Sequence, residues 1–114
     1  MNKSEIQKRK NDIARLCDFP DRIHRNCIRI NVNNSLEHEL EKVRQCYILK
    51  MNGMEFITEA RFCEGSGGTG CADILVLDLA QVVEVLNGET EEECRGKFKW
   101  YPRGLSLVTV KVER

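Results

Sequence analysis

Between Cys71 and Leu86 the chain reads CADILVLDLAQVVEVL. Two apolar runs of strand length, set back to back, require a sheet covered on both faces, because neither alternates cleanly between apolar and polar residues. The pattern predicts strands over 71–79 and 80–86, with a two-residue turn at Asp78-Leu79. Leu77 then pairs with Ala80, and the same count sets Asp73 opposite Glu84. Like charges facing one another across a strand pair repel, and each carboxylate is costly in an apolar strand. A hard cation between them removes the conflict, and magnesium commonly takes one or two carboxylates together with phosphate oxygens. The plainer alternative is a bulge at Asp73, with Glu84 paired to a lysine or arginine.

The flanking segments supply the rest of a domain. Residues 3–17 carry Ile6, Ile13 and Leu16 at roughly helical spacing behind Ser4 as N-cap, and Pro20 ends that helix. Residues 22–32 hint at a short strand. SLEHELEKVRQCYILKMNG (35–53) predicts a helix capped by Ser35, stopped at Gly53, and buried along the stripe Leu36, Leu40, Val43 and Tyr47. MEFITEARF (54–62) reads as a strand with Glu59 inside it, NGETEEECRGKFKWYP becomes a helix ending before Pro102, and LSLVTVKV (105–112) closes with a strand. The expected fold is α/β, an α-β-β-β-α-β core over 35–114 with a mixed sheet flanked by helices. A basic helical extension, 1–34, precedes it as a separable segment.

The loop GSGGTG (65–70) satisfies G-x-G-x-x-G. A dinucleotide fingerprint, however, delivers the chain into a helix whose first amides face the pyrophosphate. This loop leads into a strand, and no Lys-Ser/Thr follows its last glycine, so no nucleotide cofactor is expected and the glycines are read as turning the chain.

The 114 residues have no formal net charge, but the basic groups are uneven. Lys8, Arg9, Lys10, Arg22 and Arg25 crowd the first 34 positions, and acids collect in ETEEE (89–93). A local basic field suits a polyanion, and these residues with Arg103 are the candidate nucleic-acid contacts. No apolar run approaches the ~20 residues of a membrane helix. The charged N-terminus lacks the apolar core of a signal peptide, so a cytoplasmic protein without membrane contact is expected. Six cysteines are present; without C-x-x-C spacing they are read mostly as buried free thiols rather than as zinc ligands.

Taken together, the element order, an acid in the first core helix, A-D-I-L-V on the second strand and V-V-E-V-L on the third resemble the PD-(D/E)XK nuclease superfamily. The likeness is to its small archaeal and viral members, including Holliday-junction-resolvase-like proteins, and covers roughly 35–112. The resemblance implies a restriction-endonuclease-like core and a Mg²⁺-dependent (or Mn²⁺-dependent) endonuclease acting on DNA, and leaves a homodimer open. It implies that Asp73 and Glu84 hold the metal and that an acid of the helix completes or tunes the site. Among Glu37, Glu39 and Glu41, Glu39 is the candidate because it lies at the edge of the apolar stripe, and Glu59 is read as an outer or substrate-side carboxylate. The family's lysine, two residues beyond the third-strand acid, is Leu86 here. Lys97, Lys99 or Lys42 would have to replace it; otherwise the protein is a catalytically inactive nucleic-acid-binding or assembly module on the same fold.

Overall fold

A computed structural model describes residues 2–112; residues 1, 113 and 114, at the outer ends of the two expected segments, lie outside it. The elements are α1 (Lys3–Ala14), α2 (Phe19–Arg22), α3 (Leu36–Met51), β1 (Phe56–Arg61), β2 (Cys71–Val76), β3 (Gln81–Leu86), α4 (Glu91–Phe98) and β4 (Ser106–Lys111). The strands form one mixed sheet in the order β1-β2-β3-β4, with β1, β2 and β3 antiparallel in turn and β4 parallel to β3. From α3 onward the element order is the expected one. Residues 77–80 make a longer turn than two residues, with Ala80 at φ 48°. The register is nevertheless the one a Leu77–Ala80 pairing implies, with Ile74 opposite Val83 and Val76 opposite Gln81.

The sheet is covered on both faces, as its apolar strands require. Cys46 of α3 packs with Phe56, Ile74, Val76 and Val83 on one face. On the other, Ala14 of α1 joins Ile57, Leu75, Val82 and Tyr101, with Phe98 of α4 against them.

Helix α3 is turned the opposite way from its expected orientation. Leu36, Leu40 and Tyr47 are 70%, 56% and 65% exposed, whereas His38, Glu39, Glu41, Lys42 and Cys46 are buried. At about 100° per residue the two sets lie on nearly opposite sides of the helix. Within that set Lys42 reaches Glu59 of β1 and His38 faces Asp73 of β2, while Glu39 is held by Lys42, His38 and Asn31 N and Glu41 by Gln45. No sequence period reveals the sheet partners. Ser35 caps the helix as expected, its hydroxyl accepting from His38 N.

Residues 2–34 are built into the edge of the sheet. The strand expected within 22–32 does not form, and Asn2 rather than Ser4 caps α1, its side chain accepting from Glu5 N. Around β1, side chains take the place of a ladder partner. Asn26 N donates to Phe56 O (2.7 Å) while Phe56 N donates to Asn26 Oδ1 (3.0 Å). Arg29 N donates to Thr58 Oγ1, which donates to Cys27 O. This satisfies and blocks an edge that would otherwise be open to pairing. Ala14 and Cys17 of this segment lie in the main core. Asn26 also sits at φ 63°, a conformation asparagine tolerates. Asn26→Ala is expected to cost about 1–3 kcal/mol through the orphaned Phe56 amide, read by chemical denaturation; a loss below a few tenths would refute this role.

The glycine loop passes over the C-terminal end of α4. A Cβ on Gly68 would lie 2.3 Å from Pro102 N, and one on Gly70, whose φ is 105°, would lie 2.6 Å from Tyr101 Cε1. These glycines turn the chain and let it approach Tyr101.

Candidate functional site

The site begins with a shared irregularity in β1 and β2. Their ladder pairs Thr58 with Ile74 and Ala60 with Ala72, skipping the level of Glu59 and Asp73. Glu59 has φ 49°. Ile57 and Ala60 lie in the same core cluster, as do Ala72 and Leu75. Residues three apart in a regular strand face opposite sides, so both strands bulge at this level. Bulges re-aim side chains, and here Asp73 leaves the ladder and turns to the end of β3.

Asp73 and Glu84 meet there, one step beyond the last β2–β3 pair. Asp73 N donates to Glu84 Oε2 at 3.3 Å, and Val85 N donates to Asp73 Oδ2 at 2.8 Å. Burial would push both carboxyls up, but the two diverge. For Asp73, hydrogen bonds from His38 and the Val85 amide outweigh burial and hold it below the usual carboxylate range. For Glu84, burial and the neighbouring Asp73 charge act together and push it up to about 8. The Tyr101 hydroxyl lies 2.5 Å from Glu84 Oε1 and 3.0 Å from Cys71 O. The Tyr101 hydroxyl donates to Glu84 and so favours its charged form, an effect that burial and Asp73 outweigh.

His38 was absent from the sequence-based candidates. Its Nδ1 donates to Glu39 Oε2 (2.7 Å) and its Nε2 faces Asp73 Oδ2 (3.3 Å). Carboxylates at both nitrogens favour a proton on each, and the Asp73 bond, opposed by burial and aided by Glu39, raises His38 to about 9. Glu39 in turn accepts from Lys42 Nζ (2.6 Å) and Asn31 N (2.6 Å). Lys42, wholly buried, also reaches Glu59 Oε1 and Arg29 O at 2.8 Å each. Alternating charges thus run Glu59, Lys42, Glu39, His38, Asp73 through the buried face of α3. The signal for His38 was its place, with Glu39 and Lys42, on the face opposite the apolar stripe.

Of the four candidate acids, therefore, Asp73 and Glu84 stand together, while Glu39 and Glu59 are engaged by Lys42. The carboxylate pair opens on a cleft of about 270 Å³ lined by Ser35, His38, Asp73, Glu84, Asn87 and Lys97, among others. Burial opposes the charge on Lys97, but Glu84, Glu89 and Asp73 outweigh it and raise its pKa. Lys99 instead lies 5.4 Å over the Trp100 ring. Leu86 is buried. A second cleft of about 230 Å³ shares Cys71 and Lys97 with the first and is lined by Trp100, which is 65% exposed.

The candidate nucleic-acid contacts are scattered. Lys8, Arg9 and Arg103 are exposed, and Arg22 Nε donates to Cys17 O. Lys10 is ion-paired with Asp78 (3.0 Å) and Arg25 with Glu55 (3.1 Å). Asp78 is five residues along the chain from Asp73, roughly 17 Å in extended backbone, which places these pairs beyond the other end of β2. Cys17, Cys46 and Cys94 are buried free thiols, but Cys27 and Cys71 are exposed.

Asp73 and Glu84 offer hard oxygen donors of the kind magnesium takes. Among the described residues no three His, Cys, Asp or Glu side chains form a metal-binding group, but one or two carboxylates suffice for that ion. No helix among the described residues is long and apolar enough to cross a membrane. Comparison with protein-family models, curated proteins and solved structures returns no match to this chain.

Proposed function

We propose that the protein is a metal-dependent endonuclease that hydrolyses DNA phosphodiesters at the Asp73–Glu84 cleft. The observation that carries this reading is the pair itself: a buried Glu84 and a half-buried Asp73 brought together by a double bulge, at the mouth of a polar cleft that also holds a lysine. Asp73 and Glu84 would hold Mg²⁺ or Mn²⁺, which when bound supplies the Lewis acidity and water activation that phosphodiester hydrolysis needs. The protein's own groups do the positioning. His38 fixes the Asp73 carboxylate and keeps it ionised, and Tyr101 fixes Glu84. Lys97 brings to the cleft the positive charge that Leu86 cannot, to neutralise a phosphate. Trp100, beside Lys97, offers a ring on which a base can stack.

A cleavage assay on labelled junction, duplex, flap and single-stranded DNA tests this. Wild type is expected to give Mg²⁺- or Mn²⁺-dependent products. Lys97→Met is expected to lower the rate about 10²–10³-fold, and Lys99→Met to leave it within a few-fold. No product from any substrate would overturn the nuclease reading. The second reading, a nucleic-acid-binding module without catalysis, is favoured by one arrangement: His38 and Tyr101 already partner both carboxylates, with Leu86 in the lysine position. DNA retention without cleavage would support it.

A further inference from the structure

The outward face of α3 is the largest feature that the proposed activity leaves unused. Leu36, Leu40, Val43, Tyr47 and Met51 form one stripe along the 16-residue helix, and all are exposed. Soluble monomers rarely leave so continuous a patch open.

We infer that this face is a two-fold interface in which α3 packs antiparallel against α3 of a second copy of the chain. The inference does not rest on the nuclease reading. Two observations select a second copy as occupant. First, the stripe is self-complementary about a point between Val43 and Arg44. Antiparallel pairing about that point sets Leu36 level with Met51 and Leu40 level with Tyr47, with the two Val43 side chains near the axis, as an isologous interface requires. The spacing of 4, 3, 4 and 4 residues matches a helix–helix seam.

Second, the ends are complementary in charge. Glu37 is exposed at the N-terminal end of the stripe and Lys50 at the C-terminal end, and antiparallel pairing brings the acidic end of one helix level with the basic end of the other. The helix dipoles then also oppose one another.

Sedimentation velocity at tens of micromolar tests this on the full chain. Wild type is expected to sediment at twice 13.2 kDa, and Leu40→Glu and Tyr47→Glu at the monomer mass, each with a dissociation constant raised about a hundredfold or more. Both substitutions lie on the exposed face, and unchanged circular dichroism confirms that they fold. Val43→Cys tests the geometry: mild oxidation should cross-link it to itself well above the wild-type background, and Leu36→Cys should not. A monomeric wild type, or a dimer that survives both glutamate substitutions, overturns the interface. Equal cross-linking at Val43→Cys and Leu36→Cys overturns the antiparallel register.

Discussion

Lys42→Ala is expected to destabilise the protein by about 3–5 kcal/mol, the loss typical when one partner of a buried ion pair is removed. Lys42 has no exposed surface, and its ammonium is shared among Glu39, Glu59 and the Arg29 carbonyl. Burial disfavours its charge, but the two glutamates outweigh burial and raise its pKa. Removing it leaves two carboxylates without their cation, one of them buried. Lys42→Met keeps most of the volume and should fall nearly as far, which separates lost charge from a cavity. Equilibrium urea denaturation measures both; a loss under about 1 kcal/mol, the range of an exposed pair, would contradict the network.

The second large effect is on pH dependence. Glu84 stands at about 8, raised from 4.5 by burial and Asp73. His38 stands at about 9, raised from 6.5 chiefly by Asp73. Both groups bind protons more tightly folded than unfolded, so each contributes stability at low pH that disappears as pH rises. The Glu84 contribution fades between about 4.5 and 8, and that of His38 between about 6.5 and 9. Asp73, held low, acts in the opposite sense, and its contribution is lost only in acid. The metal-free protein should therefore be most stable near pH 5 and lose stability steadily to pH 9. Glu84→Gln, which cannot ionise, should flatten the first part of that decline. Melting temperatures across this range in a chelating buffer read the effect; a wild type whose stability rises from pH 5 to 9 would contradict it.

The reach of sequence reasoning differs from element to element, for physical reasons. β2, β3 and the meeting of Asp73 with Glu84 were legible because strand pairing across a short turn is arithmetic: one register determines every pair. The added residues of the turn did not shift it. The orientation of α3 was not legible. The rule that an apolar stripe seeks the core assumes that the opposite, polar face has nothing better than water. Here that face finds Glu59 on β1, Asp73 on β2 and the Arg29 carbonyl, contacts that exist only once the sheet is assembled. His38 was missed for the same reason. The aromatic pair Trp100-Tyr101 divides, with Tyr101 in the core and Trp100 in solvent, because the glycine loop packs on Tyr101. The basic N-terminal residues looked like a polyanion surface, but Lys10 and Arg25 answer acids at Glu55 and Asp78 that are distant in sequence.

Calorimetric titration of Mn²⁺ into the chain near pH 8 tests most directly the proposal that Asp73 and Glu84 share a divalent cation. The predicted result is a saturable heat with close to one ion per chain, abolished in Asp73→Ala while that variant remains folded by circular dichroism. No saturable heat in wild type, or an undiminished one in Asp73→Ala, would contradict the account.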